Sequence, residues 1–275
     1  KESAGLYLPY SENNLQGCAD MGALPAVFTG YQPLKEKAVR DRFSKAWGFT
    51  VNDAPGFSAA EIFEQPQNFP VKAMIILAEH PAACGEDNET AGHFLKNLDF
   101  LVVQDIFMTE TAALADVVLP SVAFAEKLGT YTNTERRVQL TRPAVEPPGN
   151  AFPDWAVIAE LAGWLGFEWQ YDGPEDVFNE MAALTPQYSG ISYERLKEKG
   201  LQWPCNNPDH PGSRYLYEGR FGRGLGLFSI VEPETAAACL PTYHGPGEHG
   251  CRCISDSMRN HSVIKHLKER TGGVG

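Results

Sequence analysis

The fold of this chain is decided by VKAMIILAEHP at residues 71–81 and NETAGHFLKNLDFLVVQD at residues 88–105. Residues 71–77 form an apolar run of strand length that gives way to Glu79-His80. Residues 88–97 carry a helical period that places Ala91, Phe94, Leu95 and Leu98 on one face. Residues 100–104 form a second apolar run, and it ends in Asp105. Strand, helix and strand within about thirty residues predict a βαβ unit with a parallel pair and a right-handed crossover. Both strand-end loops, Glu79-His80 and Gln104-Asp105, then face one edge. Open α/β sheets bind their ligands beyond that edge.

Downstream, ADVVLPSVAFAEKLGTYTNTERRVQLTR at residues 115–142 adds a third apolar run at 116–119, stopped by Pro120. The stretch continues through Glu126, Lys127, Gly129, Thr130, Asn133 and the pair Arg136-Arg137. Strands that end in Asp, Thr, Lys and Asn suit a nucleotide-like ligand. Asp105 and Asp154 offer acceptor-only groups for the amino and ring N–H donors of guanine, or for a ribose diol. Lys127 suits a phosphate as a point charge, and Arg136 or Arg137 suits it bidentately. The competing reading makes Glu126–Lys127 and Glu135–Arg136 surface ion pairs, each worth under about 1 kcal/mol. Asp154 also stands where the N-cap of a helix over residues 154–166 belongs. His80 is either a ligand-edge group or an ordinary solvent-facing loop residue.

The rest of the chain frames this region. Residues 1–35 read as loop, punctuated by Asn13-Asn14, Gly17, Gly22, Pro25, Gly30 and Pro33. A polar loop of that length is usually functional or a linker. A helix is predicted near residues 35–47, and another near 58–64 with Ser58 and Glu61 in capping-box positions. Residues 154–166 predict a helix with Trp155, Ile158, Leu161, Ala162 and Leu165 on one face, stopped by Gly166. Residues 174–184 and 192–199 predict two more, and the Gly-rich residues 221–231 a hairpin. The expected fold is α/β: a Rossmann-like open sheet, mostly parallel, with helices on both faces and an irregular C-terminal tail. The expected division is a polar loop segment at 1–34, a Rossmann-like ligand-binding domain at 35–231 and a tail of unassigned structure at 232–275.

Several function classes lose their support. A net charge of −12 over 275 residues argues against general nucleic-acid binding. No apolar run approaches the roughly 20 residues that span a bilayer. Six cysteines spread over the chain point to reduced thiols in a cytoplasmic setting. Neither strand is followed by GxGxxG or a Walker-type loop, and no G-x-S-x-G elbow occurs. His244, His249, Cys251 and Cys253 have a spacing that matches no usual structural zinc pattern. No catalytic and no metal-ligating residue is assigned. The first residues, Lys1-Glu2, carry no methionine and no signal-peptide pattern, as expected of a processed product or a middle segment.

Residues 13–25 (NNLQGCADMGALP) and 103–111 (VQDIFMTET) resemble the catalytic subunit of molybdenum or tungsten formate dehydrogenases. Residues 119–139, with Leu119-Pro120, Glu126-Lys127, Gly129-Thr130, Asn133 and Glu135-Arg136-Arg137, are similar to the wider molybdopterin oxidoreductase family, and Trp203-Pro204-Cys205 fits as well. The resemblance covers roughly residues 10–231. It implies a bis(molybdopterin guanine dinucleotide) cofactor with Mo or W, held between Rossmann-like domains. By the same resemblance, Glu79, His80, Gln104, Asp105, Lys127 and Asp154 match positions at the guanosine and phosphate ends of one dinucleotide. This chain has Ala78-Glu79-His80-Pro81 where the family more often has Gly-Glu-Asn-Pro or Gly-Glu-Asp-Pro. The implied activity is oxidation of formate to CO2, with the metal ligands and a 4Fe–4S cluster supplied by polypeptide upstream. The implied partners are formate, the remaining parts of the catalytic subunit and an iron–sulfur electron-transfer subunit. Another molybdopterin enzyme, such as a nitrate reductase, and an inactive nucleotide-binding fragment are the alternatives.

Overall fold

The computed structural model describes residues 13–64, 71–83 and 88–217. Its order is α1 (Leu15–Asp20), β1 (Val27–Phe28), β2 (Gln32–Pro33), α2 (Lys37–Trp47), α3 (Ala59–Glu64), β3 (Ala73–Leu77), α4 (Asn88–Lys96), β4 (Phe100–Asp105) and β5 (Val117–Pro120). There follow β6 (Gly129–Thr132), β7 (Arg137–Thr141), α5 (Asp154–Trp164), α6 (Pro174–Leu184), α7 (Tyr193–Glu198) and β8 (Leu201–Gln202). No described helix is long and apolar enough to cross a membrane. The hairpin expected at 221–231 and the tail from 232 onward lie outside the described residues.

The predicted βαβ unit is present. β3, α4 and β4 are consecutive, and β3 pairs with β4 in parallel from Ala73↔Phe100 to Leu77↔Gln104. β5 joins in parallel from Val102↔Val117 to Asp105↔Pro120, giving the order β3-β4-β5. Alternate residues of these strands therefore face one way. Ile76, Leu101 and Val103 are buried against Leu95 of α4 and Ala112 of the 3-10 turn after β4, with Phe63 of α3 and Phe94 packed alongside. On the opposite face Ile75 is 52% exposed and Val117 38%. Helices α3 and α4 thus cover one face of this sheet.

Two antiparallel sheets complete the α/β architecture. β1 and β2 form a small pair inside what the sequence suggested was loop, next to the short α1. β6 and β7 form a hairpin with Thr132 opposite Val138, and β8 adds to β7. Its turn is built by Asn133, whose Oδ1 accepts the backbone N–H groups of Glu135 and Arg137, both at 3.0 Å. Beneath this sheet Val138, Phe178, Tyr188, Tyr193, Leu196, Leu201 and Trp203 form a second core.

Helix boundaries follow the sequence signals. At α3, Glu61 Oε2 accepts the Ser58 backbone N–H at 2.7 Å while Ser58 Oγ accepts the Glu61 N–H at 3.2 Å, the reciprocal capping box. At α7, Ser192 Oγ accepts the Arg195 N–H. Helix α5 departs from expectation. Of its predicted inner face only Ala162 is buried; Ile158, Leu161 and Leu165 are 40%, 42% and 69% exposed. Periodicity states that a face needs cover, and says nothing about which segment provides it.

Candidate functional site

Where β3, β4 and β5 end, the chain leaves a cleft of about 150 Å³ walled by Ala78, Asp105, Ser121, Lys127, Tyr131 and Asp154, with Asn13, Asn14 and Cys18 of the N-terminal segment closing one side. The parallel register explains the meeting. Leu77 stands opposite Gln104 and Asp105 opposite Pro120, so the three following loops start side by side. Backbone bonds stitch that edge: Ala78 N–H donates to Gln104 O at 2.9 Å, and Ser121 N–H to Asp105 O at 3.0 Å. Ala78 takes a left-handed φ of 54°, a conformation that favours glycine.

The six predicted positions fall into three groups. Asp105, Lys127 and Asp154 stand in the cleft wall. Asp105 is 5% exposed and its Oδ1 accepts the N–H of Ile106 at 2.7 Å, which fixes the loop after β4. Gln104 is fully buried behind the wall; its Nε2 donates to Phe152 O at 3.3 Å, and its Oε1 has no hydrogen-bond partner. Glu79 and His80 lie outside the wall. His80 Nε2 stands 2.8 Å from Glu110 Oε2 of the neighbouring loop, at ion-pair distance but off the hydrogen-bond direction.

Asp154 does not cap its helix. It is the first residue of α5, after Pro153, and no side chain caps that end. Its carboxylate instead accepts Ser121 Oγ–H at 2.5 Å and Lys127 Nζ–H at 3.0 Å. Lys127 therefore pairs with Asp154, not with Glu126, whose Oε2 accepts the Ala123 N–H at 2.8 Å. Arg136 and Arg137 are not phosphate ligands of this cleft. Arg136 is 8% exposed, donates to Trp203 O and lies with its guanidinium carbon 5.4 Å from the Trp203 ring centroid. Arg137 reaches Gly200 O at 3.3 Å.

The N-terminal segment was legible as polar, but its placement was not. Asn14 Oδ1 accepts the Thr132 N–H at 2.8 Å, which seats α1 against β6. A Cβ built on Gly17 would collide with Asn14 Oδ1, so this close approach requires glycine. Asp20, missed by the sequence reading, is fully buried and accepts Tyr188 O–H at 2.5 Å, Trp203 Nε1–H at 2.7 Å and Gln16 Nε2–H at 2.7 Å. Burial raises its carboxyl above the ordinary range, against the pull of those hydrogen bonds. Burial and the Asp20 charge push the Tyr188 phenol far upward. Thr111 is also fully buried, and its Oγ1 accepts the Ala82 N–H at 3.1 Å, joining the loops after β3 and β4. No group of three or more His, Cys, Asp or Glu that could hold a metal occurs among the described residues.

The strand-end cleft brings two carboxylates and a lysine to the edge of an α/β sheet, and comparison with known proteins gives the family. The family model described as molybdopterin oxidoreductase matches residues 7–163. This chain belongs to that family. The alpha subunit of F420-dependent formate dehydrogenase from Methanocaldococcus jannaschii is 46% identical over 242 residues, covering 86% of this chain and 35% of the relative. The alpha subunit of F420-dependent formate dehydrogenase 2 from Methanococcus maripaludis is 45% identical over 230 residues, covering 82% and 34%. The chain thus spans about a third of the length of these curated relatives. Among solved structures, acetylene hydratase from Pelobacter acetylenicus aligns over 59% of this chain and 23% of its own, at 27% identity and a TM-score of 0.43.

Proposed function

We propose that this chain forms one wall of the site for a molybdopterin guanine dinucleotide in the catalytic subunit of a molybdenum or tungsten formate dehydrogenase. The observation that carries the reading is the convergence of Asp105, Ser121, Lys127 and Asp154 at the carboxyl edge of β3–β5. Their chemistry fits the group. A guanine base offers N–H donors, and the cleft is lined by carboxylates that only accept when ionised. The buried, unpartnered Gln104 Oε1 is a further acceptor just behind the wall.

The cofactor, when bound, supplies two-electron redox chemistry at its metal. Formate is the proposed substrate, and a 4Fe–4S cluster held by polypeptide outside this chain, with an iron–sulfur partner subunit, would supply the path for electrons. The residues of this chain hold the cofactor and carry no redox step. Asp105 accepts from the nucleoside end, Gln104 backs the wall behind it, and the strand-end loops exclude water around it. Titration calorimetry of the 275-residue chain with GDP is expected to give saturable heat, lost in Asp105→Ala; its absence from the wild-type chain overturns the reading. For the substrate, the subunit containing this chain should reduce a viologen dye when formate is added. A cofactor-loaded subunit inert to formate would reject that assignment.

A further inference from the structure

A second hollow, of about 520 Å³, opens between α2, α6 and the start of α5. Phe43 and Trp47 of α2, Phe178 and Met181 of α6 and Trp155 of α5 wall it. Phe43 and Phe178 are buried in the cores beneath, so these walls are fixed. From Trp47 a row of exposed rings runs on through Phe49, Phe167 and Trp169, at centroid spacings of 5.9, 6.0 and 5.9 Å. A contiguous apolar surface of this kind marks a place of contact.

The hollow also holds a carboxylate whose charge is unmatched. Glu180 lines it; its Oε1 accepts Trp47 Nε1–H at 2.9 Å and its Oε2 accepts Tyr171 O–H at 2.6 Å. Both donors are neutral. Burial and the Glu180 carboxylate push the Tyr171 phenol upward, so it keeps its proton. Among the described residues no Lys, Arg or His forms an ion pair with Glu180. Lys127 and Asp154, the other charged groups in the lining, lie 3.0 Å apart and cancel. One negative charge therefore stands among aromatic faces, and each of its oxygens has a lone pair to spare. Aromatic faces and a carboxylate both attract a cation. A guanidinium suits them best, because it stacks flat on an indole and donates from a planar fork.

We propose that this hollow receives an arginine side chain from the part of the catalytic subunit that lies outside this chain, with Glu180 as its counter-charge. The inference rests on the reading of the chain as a portion of such a subunit. Its source follows from length and charge. The chain spans 35% and 34% of two relatives, so a polypeptide of their length has ample further chain to cover the aromatic row. A net charge of −12 disfavours a second copy of the same acidic chain as the occupant.

The test titrates N-acetyl-argininamide into the 275-residue chain and into the full-length subunit, followed by calorimetry and tryptophan fluorescence. The free chain should bind the probe weakly, with a dissociation constant on the order of 1 mM. The uncharged analogue N-acetyl-citrullinamide should not bind. Glu180→Gln and Trp47→Leu should each weaken the probe by about fivefold or more. The full-length subunit, its hollow filled, should give no saturable signal. Amide exchange in α2 and α6 should be slower there than in the free chain, and Glu180→Gln should remove part of that protection. A free chain that ignores the probe, or binds the citrulline analogue equally well, overturns the proposal without the use of any variant. A full-length subunit that binds the probe as tightly as the free chain also overturns it, and leaves the hollow to a free organic cation. Neither arm uses a nucleotide, so the outcome is separate from that of the GDP titration.

Discussion

Around the parallel sheet the buried side chains are Ile76, Leu95, Leu101, Val103 and Ala112, all apolar. The core beneath β6, β7 and β8 buries Tyr188, Tyr193 and Trp203, and at its edge lie Asp20 and Arg136, also buried. The first core is held by area removed from water, and its polar groups gather at the strand ends, where a ligand can meet them. In the second, polar groups are turned inward and satisfy one another: Asp20 accepts from Tyr188 and Trp203, while Arg136 donates to the Trp203 carbonyl. The contrast separates the work of the two halves. One gathers its carboxylates at its rim; the other turns them inward and ties the first residues of the described chain to residue 203.

The largest expected effect strikes the polar core. Asp20→Ala leaves the Tyr188 hydroxyl and Trp203 indole N–H buried without an acceptor, and should cost about 3–5 kcal/mol in urea unfolding. Leu101→Ala, in the apolar core, should cost about 3 kcal/mol by opening a cavity. If Asp20→Ala costs less than Leu101→Ala, the tie between the ends of the chain is weaker than its hydrogen bonds imply. The same carboxylate gives a pH signature. A native pKa raised above the ordinary 3.8 means that the folded chain keeps a proton the unfolded chain has lost. The contribution is full below 3.8 and fades as pH rises through the native value. Wild-type stability should therefore decline relative to Asp20→Asn as pH climbs from 3.8 through that raised native value and level off above it. A flat difference between the two chains would show that Asp20 titrates normally.

Smaller effects probe the seam between the halves. Gly17→Ala should cost about 1–2 kcal/mol, because its Cβ displaces the Asn14 amide that holds Thr132. Hydrogen exchange at the Thr132 amide should quicken in that variant. Ala78→Gly is expected to act the other way and raise stability by about 0.5–1 kcal/mol, since φ of 54° is strained for alanine. A thermal midpoint unchanged or lowered by that substitution would mean that the loop relaxes the strain elsewhere.

Much of the apolar half was legible because its signals are local. Short apolar runs at 71–77 and 100–104, a helical period between them and Ser58 with Glu61 all act within a few residues of themselves. The polar half was not, because its partners stand far apart in sequence. Nothing adjacent to Asp20 announces Tyr188, 168 positions on. Arg136 carries a charge that suggests a phosphate, yet a left-handed φ of 63° turns it toward Trp203. The β6–β7 hairpin escaped the sequence reading because threonines and arginines fill it, and its turn rests on a side-chain acceptor at Asn133. The N-cap rule predicts a local partner for Asp154, yet Ser121 and Lys127, 33 and 27 positions before it, each hold one of its oxygens. The exposed side of α5 makes the matching point. Its apolar period is real, and most of it faces outward among the described residues.

The buried hydroxyl of Thr111 joins two loops that no backbone bond of the sheet joins: it accepts the Ala82 N–H across 29 residues of chain. Mechanically, that bond and the neighbouring His80–Glu110 contact tie the two loops into one plate beside the ends of β3 and β4. A push on either loop is then passed to the other.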